Sequence, residues 1–204
     1  MKRFLSALLV SFLLLSVFAA GAFASESVCE FDPNEIRSAV FLSDPRRALG
    51  FGHSAILLID ANGAGIYYNY TNSSEQQRPF GIGATDRFLL SPEEVTQALQ
   101  SGTIAGDERG YLFNRMIRFD VLPEEGLAMF EHAESINFRF YNVFASIVPI
   151  GDQCDTLARN ILAAGGRRFR ALTPFGIPAW SFHTLQWRLT RSCIEHTVTI
   201  LELD

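Results

Sequence analysis

The stretch from residue 53 to residue 70 restricts the fold more than any other part of the chain. His53-Ser-Ala-Ile-Leu-Leu-Ile-Asp60 is an Ile- and Leu-rich run, and Ile66-Tyr-Tyr-Asn-Tyr70 is a second run of β type. Between them lies Ala61-Asn62-Gly63-Ala64-Gly65. An Asn-Gly pair between two such runs is the strongest short-range signal for a hairpin. The pattern predicts an antiparallel hairpin with His53 at its opening, directly after the turn residues Gly50-Phe51-Gly52.

Around the hairpin the signals alternate between strand and helix, which predicts an α+β fold. Asn34–Leu42 reads as a short helical or extended stretch, Asn72–Phe80 as a polar loop and Arg87–Leu90 as a short strand. Ser91-Pro-Glu-Glu94 opens a helix, with Ser91 as N-cap, Pro92 in the first position and Glu94 closing a capping box; Gly102 ends it. Asn114–Val121 alternates as a strand, with Met116 or Ile117 inward according to register, and Leu122-Pro-Glu-Glu125 begins a second helix to about Ile136. Leu157, Ala158, Ile161 and Leu162 recur at helical spacing from Cys154 to Gly165-Gly166. Arg167–Leu172 reads as a strand, and the tail ends in a β-type run, Thr197–Leu203.

Composition narrows the function classes. Of 17 basic residues only Lys2 is a lysine, so beyond the first few residues no side-chain amine exists for Schiff-base, Ser-Lys or P-loop chemistry. The net charge of −5 argues against nucleic acid as a partner. Residues 1–24 read as a secretory signal: Lys2 and Arg3 lead, Phe4 to Ala20 are apolar, and Ala22-Phe23-Ala24 offers a small-x-small cleavage site. An uncleaved membrane anchor is the rival reading, disfavoured by the small-residue end and by Ser25-Glu26-Ser27 after it. The expectation is a single domain over 25–204, in the periplasm or secreted, with no stable membrane anchor. Three cysteines, Cys29, Cys154 and Cys193, remain after cleavage. Termini often lie close together, so a Cys29–Cys193 bridge is the favoured pairing, with three unpaired thiols as the alternative.

That pairing leaves Cys154 as a free thiol where a helix begins. Asp152 is the expected N-cap, and the helix N-terminus is expected to lower the thiol pKa. A thiol nucleophile needs a base, and His53, on a strand end, is the best placed of the four histidines; His132, His183 and His196 lie elsewhere. The imidazole needs an orienting partner from the next strand. Tyr68 and Asn69 are the candidates, on opposite faces, and the carboxamide of Asn69 is preferred. No metal spacing occurs and no cofactor is expected. Arg167, Arg168 and Arg170 read as a solvated or ion-paired face that could also receive an anionic substrate group.

Gly52-His-Ser-Ala-Ile-Leu-Leu-Ile59, the Tyr-rich strand after a tight turn, and Tyr141-Asn142 before a Cys-headed helix resemble the circularly permuted papain-fold hydrolases. This branch of the NlpC-type amidase and endopeptidase superfamily includes lecithin:retinol acyltransferase-like proteins. The resemblance covers about 51–70 and 141–166. It implies a papain-like fold, an antiparallel sheet packed against the cysteine helix, with His53 as base, Cys154 as nucleophile and Asn69 or Tyr68 as third group. Many such proteins carry Asn-Asn before the nucleophile; here the pair is Asp152-Gln153, and Ser146–Gly151 reads as a small insertion. The implied activity is hydrolysis of an amide in a peptide-like or cell-wall substrate. Acyl transfer from a lipid through the same thioester, or a non-catalytic binding or toxin-like module, are the alternatives.

Overall fold

The predicted hairpin is the centre of the sheet. In a computed structural model, β2 (His53–Asp60) pairs antiparallel with β3 (Gly65–Asn72), and every residue of both strands is buried. The structure describes residues 30–46, 52–72, 80–137, 140–142, 152–170, 178–191 and 197–203. The signal segment 1–24, Cys29, Cys193, His196 and the 146–151 insertion lie outside the described residues. Asp60 shapes the turn by accepting the backbone N–H groups of Asn62 (2.9 Å) and Ala64 (3.0 Å), the local role for which Asp is favoured at turns.

On one side β3 pairs with β4 (Phe80–Leu90), which pairs with the short β6 (Phe140–Asn142). On the other, β2 pairs with β1 (Ile36–Asp44), β1 with β5 (Arg115–Asp120), and β5 with β7 (Val198–Glu202). The result is a curled seven-stranded sheet in the order β6-β4-β3-β2-β1-β5-β7, antiparallel at every pairing. Mixed α+β architecture is thus as expected from the sequence, but β4 is much longer than the four residues anticipated.

Both faces of the sheet are covered, which explains the unbroken apolar run of β2. One face carries Val40, Leu42, Leu57, Ile59, Tyr67, Phe113 and Met116 under α1 (Pro92–Ser101). The other carries Ala39, Phe41, Ile56, Leu58, Tyr68, Ile117 and Phe119. These pack against α2 (Pro123–Ser135), α3 (Cys154–Ala164) and α4 (Pro178–Arg191) through Met129, Leu157, Ile161, Phe182 and Leu185. Met116 and Ile117 are therefore both buried, one in each layer, rather than one in and one out. Two further expectations are corrected. Arg167–Phe169 forms a single 3-10 turn, not a strand, because Phe169 turns inward to stack on Phe119 (5.0 Å) while Arg168 pairs with Glu125. The tail contributes the 14-residue helix α4, a segment whose Pro and Trp residues carry no clear helical pattern.

Helix α1 begins and ends as its sequence dictates. Ser91 and Glu94 form the reciprocal capping box, and Gly102 closes the helix in the left-handed region at φ 73°. Gly102 also accepts the backbone N–H of Phe113 at 2.8 Å, and a Cβ at this position would lie 2.4 Å from the Phe113 carbonyl oxygen. Gly102→Ala is expected to lower stability by about 1–3 kcal/mol, combining left-handed strain and this close approach. The reading is the urea unfolding midpoint; an unchanged midpoint would show that the loop relaxes freely.

Candidate active site

Gly52, at φ 89°, turns the chain in a conformation other residues rarely adopt, and His53 opens β2 immediately after it. The imidazole is buried. Its Nε2 lies 2.8 Å from Asn69 Oδ1. The pairing register accounts for this contact: Asn69 is opposite Ala55, so His53 is its diagonal neighbour on the same face. Tyr68 points to the other layer, where its hydroxyl donates to Glu134 at 2.5 Å, a carboxylate also paired with Arg87. Of the two candidates for the orienting group, Asn69 is the one brought to His53. With Oδ1 accepting, Nε2 carries the ring proton and Nδ1 is the basic nitrogen. Asn69 Nδ2 is buried without a hydrogen-bond partner among the described residues.

The ring is clamped by aromatics. Tyr111 stacks on it at 3.9 Å between centroids with only 9° between planes, and Phe113 lies 5.9 Å away. No sequence signal marks Tyr111, which belongs to the irregular segment between α1 and β5.

Cys154 is the first residue of α3, and Gln153 is its N-cap. Asp152, expected in that role, is instead held by β6: its backbone carbonyl accepts from Asn142 (2.8 Å) and its N–H donates to Phe140 (2.9 Å). These two bonds anchor the entry to the cysteine helix on the Tyr141-Asn142 segment. The β2–β3 pairing ends at Ala55–Asn69, so Ser54 lies one residue past it, and its backbone N–H faces the Cys154 sulfur. The Cys154 sulfur thus lies against Ser54, the residue that follows His53 in β2. The phenols of Tyr111 and Tyr141 flank it, raised chiefly by burial and then by the Cys154 sulfur.

The expected low thiol pKa is corrected by the structure. Cys154 is 2% exposed, and burial, reinforced by the neighbouring Asp155 carboxylate, pushes its thiol up to about 12. The backbone N–H groups of Ser54, Asp155 and Cys154 itself act in the opposite direction, as a helix start should, but desolvation outweighs them. The resting sulfur is a neutral thiol.

No motif in the sequence marks Asp155, although it adjoins the cysteine. Its carboxylate is fully buried and accepts from Ser54 Oγ (3.2 Å) and Ser181 Oγ (2.7 Å). Of the remaining described histidines, His132 lies in the last turn of α2, and His183 on α4 meets Phe182 edge to face. Among the described residues no group of His, Cys, Asp and Glu is arranged to hold a metal ion. Nor is any described helix long and apolar enough to cross a membrane. Comparison with known protein families, with characterised proteins and with solved structures gives no match.

A neutral thiol in the folded chain titrates above its ordinary value of 9.0. The stability it contributes is complete below that ordinary value and fades as pH climbs toward 12. At pH 8, iodoacetamide should therefore modify native Cys154 more than about a hundredfold more slowly than the urea-unfolded chain. Peptide mass spectrometry, which separates Cys154 from Cys29 and Cys193, makes the measurement; equal rates would refute the neutral thiol.

Proposed function

We propose that this chain is an exported thiol hydrolase of the permuted papain-like type, acting on an amide bond in a peptide-like or cell-wall substrate. Cys154 is the nucleophile, His53 the general base and Asn69 the group that orients the imidazole. One observation carries the reading: the buried Asn69–His53 bond lies next to Ser54, whose backbone N–H faces the Cys154 sulfur. Acyl transfer requires a nucleophile, a base and a group that orients the base; the Asn69–His53 bond supports the last two roles, and the place of Cys154 beside Ser54 supports the first.

Because the thiol is neutral at rest, its proton leaves during attack. Nδ1 of His53 takes it as the sulfur bonds to the carbonyl carbon, and the carbonyl oxygen becomes an oxyanion. Backbone N–H groups at the helix start, including that of Cys154, stabilise this charge. The tetrahedral species collapses as His53 returns the proton to the departing amine. Water, activated by the same imidazole, then releases the acyl group and regenerates the thiol. Acyl transfer differs only in replacing that water by another acceptor.

A second reading, a non-catalytic module that keeps the fold, draws on the near-complete burial of Cys154. Assays of peptide amides and cell-wall fragments separate the two. His53→Ala is expected to reduce kcat/KM by about 10²- to 10⁴-fold, the usual contribution of a general base. Asn69→Ala is expected to reduce it about five- to tenfold, the worth of one net hydrogen bond. If folded Cys154→Ala retains the biological effect of the native chain, the non-catalytic reading prevails.

A further inference from the structure

Asp155 is a carboxylate removed from water and placed one residue after the cysteine. Removing such a charge from water is costly, and an apolar side chain of similar size would serve packing alone at least as well. Its partners come from three elements. Ser54 Oγ of β2 donates at 3.2 Å, Ser181 Oγ of α4 at 2.7 Å, and Arg159 of α3 approaches with Nε 2.8 Å away. The Arg159 contact is an ion pair within one turn of α3. Ser54 is the informative partner, because its side chain binds Asp155 while its backbone N–H faces the Cys154 sulfur.

We infer that Asp155 is a positioning residue that seats the Cys154 sulfur against the start of β2 by tying the first turn of α3 to Ser54. The inference rests on the reading of Cys154 and His53 as nucleophile and base. Alternation along β2 directs His53 into one layer and Ser54 into the other. The nucleophile therefore approaches the base by way of the Ser54 side, and the Asp155–Ser54 bond fixes that approach. The same carboxylate disfavours the thiolate by like charge; among the described residues Tyr111 and Tyr141 also act on the sulfur, His53 adjoins Ser54 on the strand, and Arg159 partly offsets Asp155.

The test compares alkylation of Cys154 by iodoacetamide at pH 9 in the full chain, which requires no substrate. Ser54→Ala breaks the tie but keeps the charge; the sulfur loses its seat and part of its desolvation, and the rate should rise about tenfold or more. Ser181→Ala removes another Asp155 partner while leaving the tie, and its rate should stay within about twofold of the native chain, the assay's resolution for a rate set by thiolate fraction. Asp155→Asn, which can still accept from Ser54, should exceed the native rate by less than Asp155→Ala does. If folded Ser54→Ala matches the native rate, or Ser181→Ala rises as much as Ser54→Ala, Asp155 is a packing residue and the inference fails. Should the Asp155 variants not fold, the two serine variants decide alone. Failure to hydrolyse any amide would count against the catalytic reading and leave these rates intact.

Discussion

Burial of β2 on both faces is the constraint from which the site follows. A strand enclosed by two layers must send neighbouring side chains in opposite directions, and here the division falls between His53 and Ser54. His53 enters the layer beneath α1, where Tyr111 and Phe113 hold its ring and Asn69 its nitrogen. Ser54 enters the layer of α3, where it meets Asp155. A one-residue slip in register would exchange these roles and separate the imidazole from Asn69.

Much of this was legible in the sequence, for local reasons. The Asn62-Gly63 turn and the apolar runs beside it define the hairpin, and its register selects Asn69 over Tyr68 by geometry that a strand of period two imposes. The capping box at Ser91 and the apolar spacing after Cys154 likewise act within one turn of helix. What escaped was set by distant contacts. Helix α4 forms from a segment whose helical character shows only once Phe182 and Leu185 find the sheet. Tyr111 reaches His53 across 58 positions with no motif to announce it. The thiol pKa inverted because a helix start supplies only partial charges, whereas the surrounding core excludes water altogether.

Across the core, burial shifts titratable groups in one direction. Tyr67, Tyr68, Tyr70, Tyr111 and Tyr141 all titrate above an ordinary phenol, with burial the leading cause in each, and Asp86, Asp152 and Asp155 are raised as well. Such an interior favours neutral protonated groups and penalises any isolated charge. A reaction here would proceed by moving protons between neutral partners rather than by holding a ready-made thiolate.

The order of strands also bears on how the chain reaches its final shape. The central pair β2–β3 is joined by four residues, but β5 receives its outer neighbour only from residues 198–202, some eighty positions later. During synthesis from the N-terminus, the Arg115–Asp120 strand would wait with one row of backbone donors and acceptors uncovered. Its two arginines, Arg115 and Arg118, give that waiting edge a positive charge that resists self-association, and the last strand then closes it like a latch.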